Sequence, residues 1–328
     1  MMRNNYQLRE ITFDQWNDLW ITVDRTNILQ SWHYGEAKKE SERMEVAYFA
    51  VYESDNPVSI AQVLIKKLPL KLSLARINRA PLVLNSQPDD QIVFETIKLI
   101  IDECKIRWWI MLQIAPELEN KEQVETNLSK LGLKKLKNPP WASALIDLQQ
   151  DDDALLSSLN GKWRNCLRKG WKNGVKTELN QASNKNVVKD LVSTYKSLQK
   201  KKSFIGLSSD LILSMASRSH SLWSFNIFSS PSMEGEGNQG MLVSVHHGDT
   251  AIYLIGSSTN EGRKNQINYV LLWAAIKHAK LSECKYYDIG GLDETTPRGI
   301  AHFKKGLNAV PYKLTGEWRG FFIPKILQ

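Results

Sequence analysis

Residues 251–306 read AIYLIGSSTNEGRKNQINYVLLWAAIKHAKLSECKYYDIGGLDETTPRGIAHFKKG. Ala251–Gly256 is an apolar run typical of a buried strand, and Ser257–Gln266 is a polar loop. Apolar side chains then recur every three or four residues over Ile267–Leu281, the spacing of a helix with one buried face. Lys285–Ile289 is a second strand-like run. The stretch therefore predicts strand, helix and strand.

Strand, helix and strand at this spacing form a βαβ unit, so we expect the two strands to be parallel neighbours in one sheet. A short basic helix is predicted from about Gly299. Ligands of such sheets bind where strands end and helices begin. The segments at those positions are Ser257–Gln266 and Gly290–Lys305, and we expect the functional site there.

The rest of the chain predicts two similar α/β or α+β domains, residues 1–150 and 151–328. Each half has antiparallel strands, then strand–helix–strand, then helix and strand. Residues 6–40 are predicted to be helical in pieces, and Glu317–Pro324 to be an aromatic tail. His246 and His247 end a strand beside a turn, without a third ligand at metal spacing, so we expect them on the surface.

The composition is that of a soluble globular protein: 328 residues, 42% hydrophobic and 24% charged. No run approaches the roughly 20 apolar residues that a membrane-spanning helix needs, and we expect no secretory signal at the N-terminus. The cysteines Cys104, Cys166 and Cys284 are far apart and lack metal spacing. We therefore expect reduced thiols, a cytoplasmic protein and no metal.

The formal net charge is +8. Such a charge favours nucleic acid, an anionic membrane or phosphorylated small molecules as partners, unless the protein is merely basic. Because tryptophan is costly to expose, some of the eleven tryptophans are expected to line a cavity or binding surface.

Two basic segments are candidate phosphate sites. Trp32 and Lys38 offer an aromatic wall and a cation, although the sequence favours a simpler interpretation in which the tryptophan packs on the core. In Gly161–Gly174, Arg164 and Arg168 are four residues apart and share one helix face. A solvated helix and a phosphate-binding face are equally compatible with this pattern.

The element order resembles the acetyltransferase-like (GNAT) fold, and two such domains in tandem resemble the FemABX family of non-ribosomal peptidyltransferases. The resemblance is dense over residues 160–316. The matching segments are Gln30-Ser31-Trp32 with Lys38, Lys162–Arg168 with Gly174-Val175, Tyr253–Ser258, Tyr269 with Trp273 and Ala274, Tyr287–Gly291, and Gly299–Gly306.

This resemblance implies an enzyme that transfers an amino acid from aminoacyl-tRNA to an amine, typically on a peptidoglycan precursor, or here on a peptide-like metabolite. It places the phenylalanine–lysine pair at the tRNA end, and Lys38 with Arg164 or Arg168 on acceptor phosphates. The implied catalytic residues are Lys304, Phe303 and Tyr253. The implied substrate-binding residues are Trp32, Lys38, Arg164, Arg168, Ser257, Tyr269, Asp288, Gly290 and Lys305.

The chemistry is compatible with the residues. An aminoacyl ester is already activated, so an amine can attack it directly once both are held together. No covalent nucleophile, cofactor or metal is then needed, and the sequence offers no persuasive nucleophile–base pair. Lys304, expected as an exposed cation at a helix start, or amides near Gly290 could stabilise the oxyanion. Phe303 could stack on a base of the tRNA end.

Two alternatives stay open. One is an N-acyltransferase with a thioester donor, on CoA or on an acidic carrier protein that would suit a basic face. The loop Thr259–Gln266 weakens CoA, because it lacks the glycine-rich order that holds a pyrophosphate at a helix N-terminus. The other is a non-catalytic nucleic-acid-binding module, although no known nucleic-acid-binding motif is visible.

Overall fold

The structure is a computed structural model, and it describes residues 6–84, 89–232 and 237–323. The chain divides into two compact units. The first comprises residues 1–142 together with 312–328, and the second comprises residues 143–311. The C-terminal segment thus groups with the first unit, whereas the predicted domains divided the chain once, at 150/151.

The strands and helices are, in chain order, as follows. The strands are β1 Tyr6–Glu10, β2 Glu45–Glu53, β3 Asn56–Lys67, β4 Ser73–Asn78, β5 Leu82–Val83, β6 Trp109–Ala115, β7 Lys134–Lys135, β8 Ala142–Asp147, β9 Glu178–Gln181, β10 Ser224–Pro231, β11 Asn238–His246, β12 Thr250–Ser258, β13 Tyr286–Asp288, β14 Val310–Lys313 and β15 Trp318–Phe321. The α-helices are α1 Phe13–Trp20, α2 Trp32–Glu42, α3 Asp90–Ile106, α4 Glu122–Lys130, α5 Asp152–Ser158, α6 Gly161–Lys172, α7 Lys185–Lys202, α8 Ser209–Ala216, α9 Asn260–Lys264, α10 Ile267–Leu281 and α11 Arg298–Lys305.

The first unit is built on a mixed sheet in the order β1-β2-β3-β4-β6-β15-β7, with β5 paired to β3. The pair β4–β6 is parallel. Helix α3 begins at the cap Asp89, whose side chain accepts from the Gln91 N–H. Its face Val93, Ile97, Ile100 and Ile101 is buried in a core formed with the sheet. Burial of this periodic face explains why the segment folds as a helix here.

The second unit is built on a sheet in the order β14-β8-β13-β12-β11-β10-β9. Strands β12 and β13 are parallel neighbours, as predicted, and pair over Thr250–Ile252 and Tyr286–Asp288. Helix α10 has the predicted bounds, and its buried face includes Val270, Leu271 and Ala275. The predicted fold class, a mixed α/β fold with two mixed sheets and flanking helices, is confirmed.

Four local predictions were wrong. Tyr6–Glu10 is a strand paired antiparallel with β2, not part of a helix. The loop 257–266 contains the short helix α9, capped by Thr259. Residues 318–321 of the predicted tail form β15, which pairs with β6; Pro324 lies outside the described residues.

The fourth concerns the histidine pair, which is buried rather than superficial. His246 and His247 are 6% and 2% exposed. The His246 ring lies 5.2 Å from the ring of His278 on α10, and burial lowers the pKa of His246 to about 3. His246 lies on the same face of β11 as Leu242. Because Leu242 packs in the core of the second unit, the His246 side chain is buried as well.

No helix in the part of the chain that the structure describes has both the length and the apolar character needed to cross a membrane. Within the same residues, no three His, Cys, Asp or Glu side chains are arranged to hold a metal ion.

Candidate functional site

The candidate site lies in the second unit, beyond the end of the short strand β13. The next residues form a turn, in which Gly290 has φ +72° and lies against the carbonyl oxygen of Tyr253 on β12. A Cβ atom at position 290 would come within 2.8 Å of that oxygen and 3.2 Å of the Lys304 Nζ atom. Only glycine combines this φ with so close an approach.

A buried carboxylate fixes the shape of this turn. The Gly290 N–H donates to Asp288 Oδ1 over 2.8 Å. The Ser143 hydroxyl, on β8, lies 2.5 Å from the same carboxylate oxygen and 2.9 Å from the Gly290 carbonyl oxygen. Ser143 and Asp288 are 1% and 5% exposed. Because these polar groups are desolvated and paired with one another, they hold the turn in one conformation.

Lys304 delivers a buried cation to this turn. Its Nζ atom donates to the Gly291 carbonyl oxygen over 3.1 Å and lies 5.0 Å from the centre of the Tyr253 ring. The side chain is 6% exposed. Burial lowers the pKa of Lys304 to about 8, while the charges of Asp288 and Asp293 act in the opposite direction. The expectation of an exposed cation at a helix start was wrong, because Lys304 belongs to the last turn of α11 and points inward.

Tyr253, on β12, lies beside the Lys304 ammonium group. Its side chain is partly exposed, and burial of the phenol raises its pKa to about 12. The hydroxyl rests on Gly256, where a Cβ atom would come within 1.7 Å of it. The phenol is therefore a neutral hydrogen-bond donor at physiological pH.

Phe303 belongs to a cluster of three aromatic rings. Its ring lies 5.0 Å from that of Tyr269 on α10 and 6.0 Å from that of Trp163 on α6. The Trp163 indole N–H donates to the Phe303 carbonyl oxygen over 3.1 Å. The cluster fixes α11 relative to α6 and α10, and Phe303 and Tyr269 both remain partly exposed.

Arg164 and Arg168, the two arginines of α6, differ in their contacts and in their exposure to solvent. The Arg164 guanidinium donates to the carbonyl oxygens of Ser157 and Leu159, at the end of α5. Arg164 therefore caps a helix C-terminus, where cations are favourable, which does not support its assignment to a phosphate. Arg168 is exposed, as is Lys305 on α11.

Trp32 and Lys38 belong to the first unit. The Trp32 ring stacks on Tyr48 with a centroid distance of 3.7 Å, in agreement with the core-packing interpretation. Lys38 forms an ion pair with Glu42 one turn along α2. Gln30, the start of this motif, is buried and accepts from the Gln62 N–H over 2.7 Å. The motif therefore holds α2 on its sheet.

The structure thus brings together Tyr253, Asp288, Gly290 and Lys304, with Phe303 and Tyr269 on the neighbouring helices. Ser257 lies farther along β12, opposite Met241, and is partly exposed. Sequence reasoning missed Ser143, because a serine in a β-strand carries no motif. It also did not assign a role to Trp163, although its position within the basic helix was visible.

Comparison with known proteins adds a family match. The model of the FemAB family matches residues 238–324, which include Tyr253, Asp288, Gly290 and Lys304. No curated protein sequence matches the chain.

Solved structures match over nearly the whole chain. FemX is 17% identical with a TM-score of 0.79, covering 96% of this chain and 97% of that one. A tandem GNAT protein from the clavulanic acid biosynthesis pathway, without AcCoA, is 10% identical with a TM-score of 0.57, covering 97% and 98%. L-PGS from Bacillus licheniformis is 10% identical with a TM-score of 0.52, covering 90% and 93%. At these identities the structural likeness shows the fold.

The family match and the shared fold together confirm the predicted resemblance to the FemABX family with a GNAT-like fold. The family match also supports the prediction of a transferase enzyme.

Proposed function

We propose that this chain, with its FemAB-type C-terminal part, transfers an amino acid from aminoacyl-tRNA to an amine of a peptidoglycan precursor. A peptide-like metabolite is the alternative acceptor. The observation that carries the proposal is the buried Lys304 ammonium beside the Gly290–Gly291 turn. A preformed cation at a strand end suits a reaction that develops negative charge on a carbonyl oxygen.

The reaction needs no covalent enzyme intermediate. The acceptor amine attacks the ester carbonyl carbon, a C–N bond forms, and the C–O bond to the tRNA ribose breaks. The proton lost by the nitrogen passes to the departing ribose oxygen. Holding the two substrates together supplies much of the acceleration, because the ester is already activated.

Lys304 has the properties that this role requires. Its pKa of about 8 leaves it mostly cationic at neutral pH, and its burial strengthens its field by excluding water. The Tyr253 phenol, held neutral by a pKa of about 12, is a second donor beside the lysine. Phe303, one residue earlier, is partly exposed, and its exposed part would stack on a base of the tRNA end.

For the acceptor, the proposal assigns phosphate binding to Arg168 rather than Arg164. Arg168 is exposed on α6, whereas Arg164 is bonded to the carbonyl oxygens that end α5. Trp32 and Lys38, in the first unit, remain a separate proposal for a phosphate contact. The Lys38–Glu42 ion pair would have to open for that contact to form.

A thioester donor is the second candidate. The parallel pairing of β12 with β13 ends at Ile252 and Asp288, and among the residues that the structure describes no strand pairs with the rest of β12 on that side. The environment of Gly262 argues against binding of a CoA pyrophosphate. This glycine packs so closely on β11 that a Cβ atom would lie 2.4 Å from the Gln239 carbonyl oxygen. The Gly262 N–H also donates a hydrogen bond to the Thr259 hydroxyl, rather than pointing to a ligand site. The one glycine of this loop therefore serves packing rather than anion binding.

The test is transfer of labelled amino acid from charged total tRNA to candidate amine acceptors, with acyl-CoA in parallel reactions. Label should move from tRNA to the acceptor, and RNase treatment of the tRNA should abolish the transfer. Turnover of acyl-CoA without release of label from any tRNA would contradict the proposal.

A further inference from the structure

A basic and apolar projection ends helix α7, remote in sequence from the site residues. We define the α7 tip as residues 200–206, Lys-Lys-Lys-Ser-Phe-Ile-Gly, all of which are exposed. Phe204 is 39% exposed, and Ile205 is fully exposed at 104%. Single exposed apolar side chains are common on protein surfaces, but here two adjacent ones share a short loop with three lysines, a combination expected of an interaction surface.

Side chains of α7 hold the α7 tip in a defined conformation. The Tyr195 hydroxyl accepts from the Leu207 N–H, and the Gln199 side chain donates to the Leu207 carbonyl oxygen, both over 3.3 Å. The Tyr195 ring also meets the Phe204 ring edge-on at 6.0 Å. Helix α7 therefore clamps the base of the loop while Ile205 projects beyond it.

The charge around this loop is positive and unbalanced. Lys200, Lys201 and Lys202 occupy the last turn of α7, and Lys196 lies one turn earlier. Among the residues that the structure describes, none of these four lysines forms an ion pair. No acidic residue occurs between Asp190 and Asp210. The cationic surface is thus free to meet an anionic partner.

We propose that the α7 tip docks this protein on the surface of an anionic phospholipid bilayer. The lysines would contact lipid phosphates, and Ile205 with Phe204 would enter the boundary between headgroups and acyl chains. Ile205 distinguishes this partner from RNA, because lysines alone suffice for a phosphate backbone and an aliphatic tip adds nothing to it. Docking of this kind does not depend on the transfer activity proposed above.

Sedimentation of the full chain with lipid vesicles tests the proposal. Vesicles of equal parts phosphatidylcholine and phosphatidylglycerol should bind the protein, and vesicles of phosphatidylcholine alone should not. Ile205→Ser should weaken binding about tenfold. The triple change of Lys200, Lys201 and Lys202 to Glu should weaken it on the order of 100-fold or more. Raising the salt concentration should weaken binding of the unaltered protein.

Matched variants distinguish docking by the α7 tip from the effects of overall net charge and surface hydrophobicity. Leu281→Ser changes an exposed apolar side chain at the end of α10. The triple change of Lys130, Lys134 and Lys137 to Glu alters the net charge equally, on exposed positions of the first unit. Both should bind vesicles as the unaltered protein does.

Filter binding of uncharged tRNA by the same variants supplies the competing outcome. The α7 tip does not bind membranes if Ile205→Ser leaves vesicle binding unchanged. The same holds if the triple change of Lys200, Lys201 and Lys202 to Glu weakens binding of tRNA but not of vesicles. Absence of binding to anionic vesicles would overturn the proposal as well.

Discussion

The Lys304 Nζ atom lies 3.1 Å from the Gly291 carbonyl oxygen, in the turn that Asp288 and Ser143 hold in place. A lysine with 6% exposure would ordinarily be excluded from a protein interior. Here the backbone carbonyl and the face of Tyr253 offset part of the cost. Buried cations maintained at such a cost are more typical of functional sites than of stabilising cores.

Lys304→Met should nearly abolish transfer while the protein still folds. Methionine keeps the length and apolar stem of the side chain but removes the charge, so oxyanion stabilisation should fall by about 100- to 1000-fold. Lys285→Met, at an exposed lysine before β13, is the control and should transfer normally. Initial rates of transfer check this, and a rate within a factor of about three of the unaltered enzyme would exclude the assigned role.

Lys304 should also make stability depend on pH in the alkaline range. Its pKa is about 8 when folded against 10.5 for an ordinary lysine. Below pH 8 both states hold the proton. Between these values only the unfolded state holds it, so the free energy of unfolding should rise with pH, by roughly 3 kcal/mol in total.

Other groups titrate in the same range, so the quantity to measure is the difference between the unaltered protein and Lys304→Met. Denaturant unfolding at pH 7, 9 and 10.5 should show this difference moving in favour of the unaltered protein as the pH rises. A difference that does not change with pH would mean that Lys304 is not perturbed by burial.

Ser143→Ala should loosen the turn that positions Lys304. It removes a buried hydroxyl shared by Asp288 and Gly290, at a cost of about 1–3 kcal/mol. Ser59→Ala is the matched control, since that buried hydroxyl bonds Thr96 in the first unit. Both variants should be less stable, and transfer should fall only in Ser143→Ala. Equal transfer in the two would show that the hydroxyl serves the fold alone.

Arg164 and Arg168 should separate into a stability effect and a binding effect. Arg164→Met removes the bonds to the Ser157 and Leu159 carbonyl oxygens and should lower the free energy of unfolding by about 1.5–3 kcal/mol. Arg168→Met should leave stability unchanged and raise the KM for a phosphorylated acceptor. The reverse pattern, with KM raised only by Arg164→Met, would return the phosphate contact to Arg164.

The sequence predicted secondary structure best where apolar residues repeat regularly within one continuous segment. Helix α10 has the predicted bounds, because its buried face repeats over the whole of Ile267–Leu281. Strand β15 was missed because its role depends on pairing with β6, about two hundred residues earlier, and no local pattern encodes that partner.

The candidate site was predictable by residue type but not by environment. The motif indicated Lys304, yet its burial depends on how α11 packs beside Tyr253, which the sequence does not reveal. Arg164 and Arg168 look equivalent on a helical face, and only the nearby end of α5 distinguishes them. Ser143 gave no signal, since its partners Asp288 and Gly290 lie far away in the chain.

The central claim is that the donor is an aminoacyl ester on tRNA. The most direct measurement offers both donors in one mixture: tRNA charged with an amino acid carrying one radioisotope, and acyl-CoA carrying another. The enzyme and an amine acceptor are added, and the isotope in the purified product is counted. The account predicts the tRNA-borne isotope alone, lost in Lys304→Met. Product carrying only the isotope from acyl-CoA would contradict it.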